Sequence, residues 1–173
     1  MGKSKVRGYL EAASTVAVLL AAIAVMVSLA AMYFKPTAGP QLRPGIEKGE
    51  PLAHLPGFNF GESERALLIV ISTSCGYCDE SIPFYRQLAE ARQGGGRGVR
   101  LVAVLPESEM EVKRYMQQRQ LDMAAVPAVD LKALKVAGTP ILILVDGGGR
   151  VIDFWVGKLS QDTEQQLLKI VKA

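Results

Sequence analysis

Cys75-Gly76-Tyr77-Cys78 is the stretch whose residue types and spacing can do chemistry. It follows an apolar run, Leu67 to Ile71, and precedes Ser81 to Ala89, which can wind into a helix. Two thiols therefore stand at a strand-to-helix junction. A helix start gathers unpaired backbone N–H groups and the positive end of the macrodipole, so a cysteine there is favoured as thiolate over thiol. Two intervening residues let one helical turn bring the sulfurs within disulfide reach. This spacing predicts thiol–disulfide exchange. The chain has no other cysteine, so neither thiol has a different intramolecular partner. A structural bridge over so short a loop would remove little unfolded-state entropy. A zinc site needs about four ligands, and the chain adds only one distant histidine, His54. No metal and no separate cofactor are expected, the redox-active pair Cys75–Cys78 being the reagent. Cu(I) handling is the rival reading of two thiolates, but it would want a His or Met close to them and none is near in sequence.

The elements that must position the pair come from a chain of 173 residues, 49% hydrophobic, with mean hydropathy +0.19. That is room for one domain with a real core plus something markedly apolar. The apolar part is N-terminal: from Ala12 to Phe34 no side chain is charged. At about 1.5 Å per residue such a run crosses a hydrocarbon core of roughly 30 Å. Residues 1–9 read as a basic cytoplasmic end, 10–34 as a transmembrane anchor, 35–52 as a Pro/Gly-rich tether, and 53–173 as the folded domain. Lys3, Lys5 and Arg7 precede the span, so the positive-inside rule sends the C-terminal bulk out of the cytoplasm. Ser28-Leu29-Ala30 leaves a cleaved signal peptide as the alternative. The net charge of +3 is already supplied by Lys3, Lys5, Arg7 and Lys35 against Glu11. The rest is balanced, so no basic face for nucleic acid is indicated.

Within the domain, Phe58 and Phe60 alternate as in a short edge strand. Leu67 to Ile71 suits a strand buried on both faces, delivering the thiols to a sheet's carboxyl edge. The following helix places Ile82, Tyr85, Leu88 and Ala89 on one face, with a kink expected at Pro83. Gly94 to Gly98 lacks a following Lys-Ser or Lys-Thr and reads as a turn, not a phosphate loop. Val99 to Leu105 is a second buried strand, and Ser108 caps a helix over Glu109 to Arg119. Strand and helix on alternating faces follow βαβ logic and give a parallel pair. Val126 to Asp130 is a short extended piece and Leu131 to Val136 a short helix. Ile141 to Val145 and Arg150 to Val156 form a hairpin around Gly147-Gly148-Gly149. Ser160 caps a last helix.

This succession, with Cys-x-x-Cys opening the first long helix and Gly138-Thr139-Pro140 before a strand, resembles the thioredoxin fold over about residues 46–173. The resemblance implies an α/β fold, a central mixed sheet flanked by helices, here preceded by one transmembrane helix. The tether, the insertion from Ser108 to Asp130 and the tail from Gly149 to Gly157 are similar to membrane-anchored reductases of the TlpA and ResA type. Gly76-Tyr77 is similar instead to periplasmic disulfide isomerases, whose separate dimerisation domain is not evident here. The family implies Cys75 as attacking thiolate, Cys78 as buried resolving thiol and Pro140 as a cis-proline facing them. Gly76, Tyr77, Thr139 and Pro140 would then contact a substrate strand paired to the Thr139 backbone. It also implies protein disulfides as substrates and a membrane thiol carrier as electron donor. Three positions depart from it: Thr73 replaces a common tryptophan, Ile69 replaces thioredoxin's buried aspartate, and Ser81 replaces a tuning glutamate. Glu80 would point about 100° away from that glutamate's direction. The group that takes the proton of Cys78 is left unassigned.

Overall fold

The computed structural model describes residues 21–23, 25–26, 45–93 and 98–172. The chain divides into two units, Met1–Gln41 and Leu42–Ala173. In the first, residues 21–23 and 25–26 are helical. The span expected over 10–34 otherwise lies outside the described residues, among which no helix is long and apolar enough to cross a membrane. Residues 94–97 of the glycine-rich turn also lie outside them.

The second unit is built on a five-stranded sheet: β1 (Arg65–Val70), β2 (Val99–Val104), β3 (Ala124–Val126), β4 (Ile141–Asp146) and β5 (Val151–Val156), in the order β3-β2-β1-β4-β5. The first three strands are parallel, β4 runs antiparallel to β1, and β5 antiparallel to β4. The helices are α1 (Gly76–Glu80), α2 (Ile82–Gln93), α3 (Glu109–Arg119) and α4 (Gln161–Lys172). From Ala66 to Val70, Leu101 to Val104 and Ile141 to Val145 the central strands are apolar at every position because both faces are covered there, with Arg65, Arg100 and Asp146 at or next to the strand ends. Leu67, Ile69, Leu101, Ala103, Leu142 and Leu144 face the helices, whose Tyr85, Leu88, Tyr115, Leu167 and Val171 pack onto them. Leu68, Val70, Val102, Val104, Ile141 and Ile143 face the other way, under Ile46, Leu55, Phe58, Val129, Leu134 and Val136.

Several local expectations are corrected. Strand and helix do not alternate faces: α2 and α3 share one, with α4. The chain steps from β1 to β2 to β3 in a single direction, and right-handed crossovers then put every connecting helix on the same side. Pro83 does not kink one helix; the chain breaks at Ser81 into α1 and α2. Pro83 has no N–H for the carbonyl of Asp79, and its ring crowds that carbonyl. The Phe58–Phe60 segment is not a strand. Asn59 accepts a hydrogen bond from the Gly61 N–H (3.0 Å) and starts a 3-10 turn over Phe60–Glu62, as asparagine's local bonding favours. Leu131 to Val136 forms hydrogen-bonded turns in place of a helix: the Asp130 carboxylate takes the Lys132 N–H (2.9 Å), and Lys135 turns left-handed at φ 55°.

Residues 45–52, assigned in the sequence to the tether, are hydrogen-bonded to the domain. Ile46 is buried, and Gly49 and Leu52 donate to the carbonyls of Val151 and Gly149 at 2.7 and 2.9 Å. The β4–β5 hairpin forms as its sequence predicts, with Asp146 Oδ1 accepting from the Gly148 and Arg150 N–H groups. Gly149 is required there: its φ is +78°, and an added Cβ would lie 2.9 Å from the Phe60 ring.

Candidate active site

β1 ends where the Ile71 N–H donates to the Val104 carbonyl (3.0 Å), and the chain then turns over Ser72–Cys75, closed by the Cys75 N–H to the Ser72 carbonyl (3.2 Å). Cys75 is the N-cap of α1, with extended dihedrals of −93° and 110°. Its sulfur accepts the Cys78 N–H at 3.1 Å, the bond that a capping oxygen makes elsewhere. The two cysteines form a disulfide with their α-carbons 5.2 Å apart. Cys78 is fully buried among Ile71, Ile82 and their neighbours, whereas Cys75 is partly exposed. Only one sulfur is therefore presented to a partner.

Thr139 and Pro140 arrive from the loop before β4. Their peptide bond is cis, and the Thr139 carbonyl oxygen lies 3.4 Å from Cys75 Sγ. Pro140 is buried, and its own carbonyl accepts the Gly157 N–H from the end of β5 (2.8 Å). The candidates Cys75, Cys78, Thr139 and Pro140 thus converge. Gly76 and Tyr77 lie on the exposed side of α1, Tyr77 with 62% of its surface open.

The carboxylates around the motif fall in three different settings. Asp79 is tied to α3, accepting from Tyr115 Oη (3.0 Å) and pairing with Arg119 (2.7 Å). Burial, with the Asp79 carboxylate beside it, pushes the Tyr115 phenol up. Glu80 pairs with Lys158 (2.7 Å) at the surface, away from the position Ser81 occupies. The Ser81 hydroxyl donates to the Tyr77 carbonyl (2.8 Å) inside its own turn. Glu107, at the carboxyl end of β2, reaches the active-site turn. Its Oε1 accepts from Ser72 Oγ (2.7 Å), the Thr73 N–H (2.8 Å) and Thr73 Oγ1 (3.1 Å).

Sequence reading passed over Asp79, Arg119 and Glu107, and gave Tyr115 a packing role only, which its burial bears out. Their contacts join residues 34 to 40 apart, beyond any local periodicity. The one signal for Glu107 was its place just past a buried strand, at the sheet edge where open α/β folds put their sites.

No family model matches the chain, and no curated protein does. Solved structures do. A thiol:disulfide interchange protein from Bacteroides sp. superimposes with TM-score 0.59 at 17% identity, over 74% of this chain and 92% of that one. A DsbE thiol:disulfide interchange protein from Chlorobium tepidum gives 0.58 at 22%, over 73% and 99%. StoA from Bacillus subtilis gives 0.52 at 18%, over 62% and 81%. At these identities the likeness is one of architecture, and the chain has a thioredoxin-like α/β fold with its one cysteine pair at the head of the first helix.

Proposed function

We propose that the protein is a membrane-anchored thiol–disulfide oxidoreductase of the TlpA/ResA type that reduces disulfides of proteins outside the cytoplasm, cytochrome c maturation being one pathway that would use it. The observation that carries this reading is the asymmetry of the pair: Cys75 partly exposed and capping α1, Cys78 sealed behind it. In the reduced protein the Cys75 thiolate attacks one sulfur of a substrate disulfide, forming a mixed disulfide and releasing one substrate thiolate. Cys78, once deprotonated, attacks the Cys75 sulfur and expels the second substrate thiolate. Two electrons pass to the substrate, which takes up two protons, and the Cys75–Cys78 disulfide is left. Gly76 and Tyr77 flank the exposed sulfur, and the Thr139 backbone offers an edge on which an extended substrate segment can pair.

A reductase in an oxidising compartment needs electrons from elsewhere, and a membrane thiol carrier is the class of donor that fits. Anchoring through residues 10–34, with 1–9 in the cytoplasm, rests on the uncharged run and on Lys3, Lys5 and Arg7. Trapping tests the mechanism. A Cys78→Ser chain should accumulate mixed disulfides with extracytoplasmic proteins through Cys75, and Cys75→Ser should accumulate none. Absence of adducts in the first variant counts against the reading. Direction is read from the reduction potential: a value near thioredoxin's, about −270 mV, fits reduction, whereas one near about −120 mV assigns the same residues to oxidation.

A further inference from the structure

We propose that Glu107 is a positioning residue of the redox centre, fixing the turn that presents Cys75 and, as the one carboxylate there without a cation among the described residues, holding the cysteine couple toward its reducing side. Cys75 is the last residue of the turn that starts at Ser72, so the two α-carbons lie within about 7 Å of each other. Glu107 grips the first two residues of that turn through three hydrogen bonds to a single oxygen. Its main chain is fixed as well, its carbonyl accepting the Ala128 N–H (2.8 Å) where the chain leaves β3. A carboxylate held so firmly close to Cys75 has a job beyond closing a loop, which one serine hydroxyl could do.

Charge gives the second half. Asp79 and Glu80 also sit near the sulfurs, but each is neutralised, by Arg119 and by Lys158. Glu107 has no ion pair among the described residues, and its second oxygen, Oε2, is buried without a hydrogen-bond partner. Its charge therefore faces no cation among the described residues, and at a partly buried position it is screened less than a charge in open water. The nearest redox-active group is Cys75. A nearby negative charge disfavours the thiolate, and a couple whose reduced form is less stabilised is the stronger reductant. In this chain Ser81 stands where the reductases it resembles carry a glutamate, and Glu107 places an acidic group at the site from another element.

This inference rests on the oxidoreductase reading, and the experiment separates the two. Reduction potentials of the full chain, Glu107→Gln and Glu107→Asp are measured against glutathione and dithiothreitol buffers, with thiolate absorbance followed against pH. The native potential tests the direction of flux; only the differences between variants test Glu107. Glutamine keeps an acceptor for all three donors and removes the charge. It should shift the equilibrium about tenfold toward the dithiol, about 30 mV, and lower the pH at which the thiolate forms. Aspartate keeps the charge but shortens the reach, and should stay within about threefold of native while melting earlier. A glutamine variant with native potential and thiolate titration overturns the proposal, however its melting temperature moves. Should the glutamine chain not fold, the aspartate chain decides: a tenfold shift there means that the bonds, not the charge, set the potential, and overturns it as well.

Discussion

At Cys75 two opposing influences meet on one sulfur atom. The Cys78 N–H at 3.1 Å stabilises a thiolate, as does the start of α1. The Thr139 carbonyl oxygen at 3.4 Å does the reverse, since it can accept from a thiol but repels an anion. Thiol–disulfide exchange needs the same sulfur as nucleophile in one step and as leaving group in the next, and both contacts bear on it. Cys78 has no such access, being fully buried. After reduction, iodoacetamide should therefore label Cys75 at least about tenfold faster than Cys78, read by mass spectrometry of the two modified sulfurs in a time course, because alkylation needs an accessible thiolate. Equal rates would mean that the pair is not asymmetric in the reduced protein. Tyr77 belongs to the same scale. It is 62% exposed beside the sulfurs, so Tyr77→Ala should leave stability within about 0.5 kcal/mol while slowing reaction with protein disulfides more than with small ones.

Among the elements, those whose sequence carried one strong period were legible, and those decided by a competing local interaction were not. Leu67 to Ile71 and Val99 to Leu105 were readable as buried strands because the first is wholly apolar and the second is apolar apart from Arg100 near its start, and Glu109–Arg119 because Ser108 precedes it. The break at Ser81 was misread as a kink because a proline's effect depends on whether the preceding turn can close without it. At Ser81 that turn closes on Tyr77 through both the backbone N–H and the hydroxyl. The site was legible where its residues are adjacent, Cys75 and Cys78, or carry a loop signature, Thr139-Pro140. Glu107 and the Asp79–Tyr115–Arg119 contacts depend on tertiary register, which periodicity does not encode. The cap of α3 offers a test at this scale. The Glu111 carboxylate accepts from the Ser108 hydroxyl (2.6 Å) and N–H (3.1 Å), and these bonds hold its carboxyl below the usual range. A lowered carboxyl contributes stability that is present above its unfolded value and is lost as pH falls through the folded one. Ser108→Ala should lower the urea midpoint at neutral pH, and the gap from the native chain should narrow in acid. A gap that is constant with pH would show that Glu111 takes no part in the cap.

For the molecule as a whole, the sheet separates two apolar layers, and the helical layer carries the cysteines. Its centre holds a polar atom that the chemistry does not use, the Tyr85 phenol. Tyr85 is 1% exposed, beneath α4 and next to Phe84, and its oxygen is buried without a hydrogen-bond partner among the described residues. Burial pushes this phenol up to about 12; the nearby Ser81 hydroxyl, which itself donates to the Tyr77 carbonyl, pulls the other way, and Glu164 on α4 adds to the rise. Below pH 10 both folded and unfolded chains keep the proton, and Tyr85 makes no pH-dependent contribution. Between about 10 and 12 the unfolded chain ionises first, so it binds fewer protons than the native one and stability falls as pH rises. Two units of difference correspond to about 2–3 kcal/mol of lost stability at the upper end. Tyr85→Phe removes that loss and an unpartnered buried hydroxyl together. At pH 7 it should be neutral or slightly stabilising. Urea midpoints of the oxidised chain from pH 8 to 12 should then decline less steeply in the variant, the remaining slope belonging to Tyr115 and other groups. A variant whose midpoints run parallel to those of the parent would place the Tyr85 oxygen in contact with water in the native state.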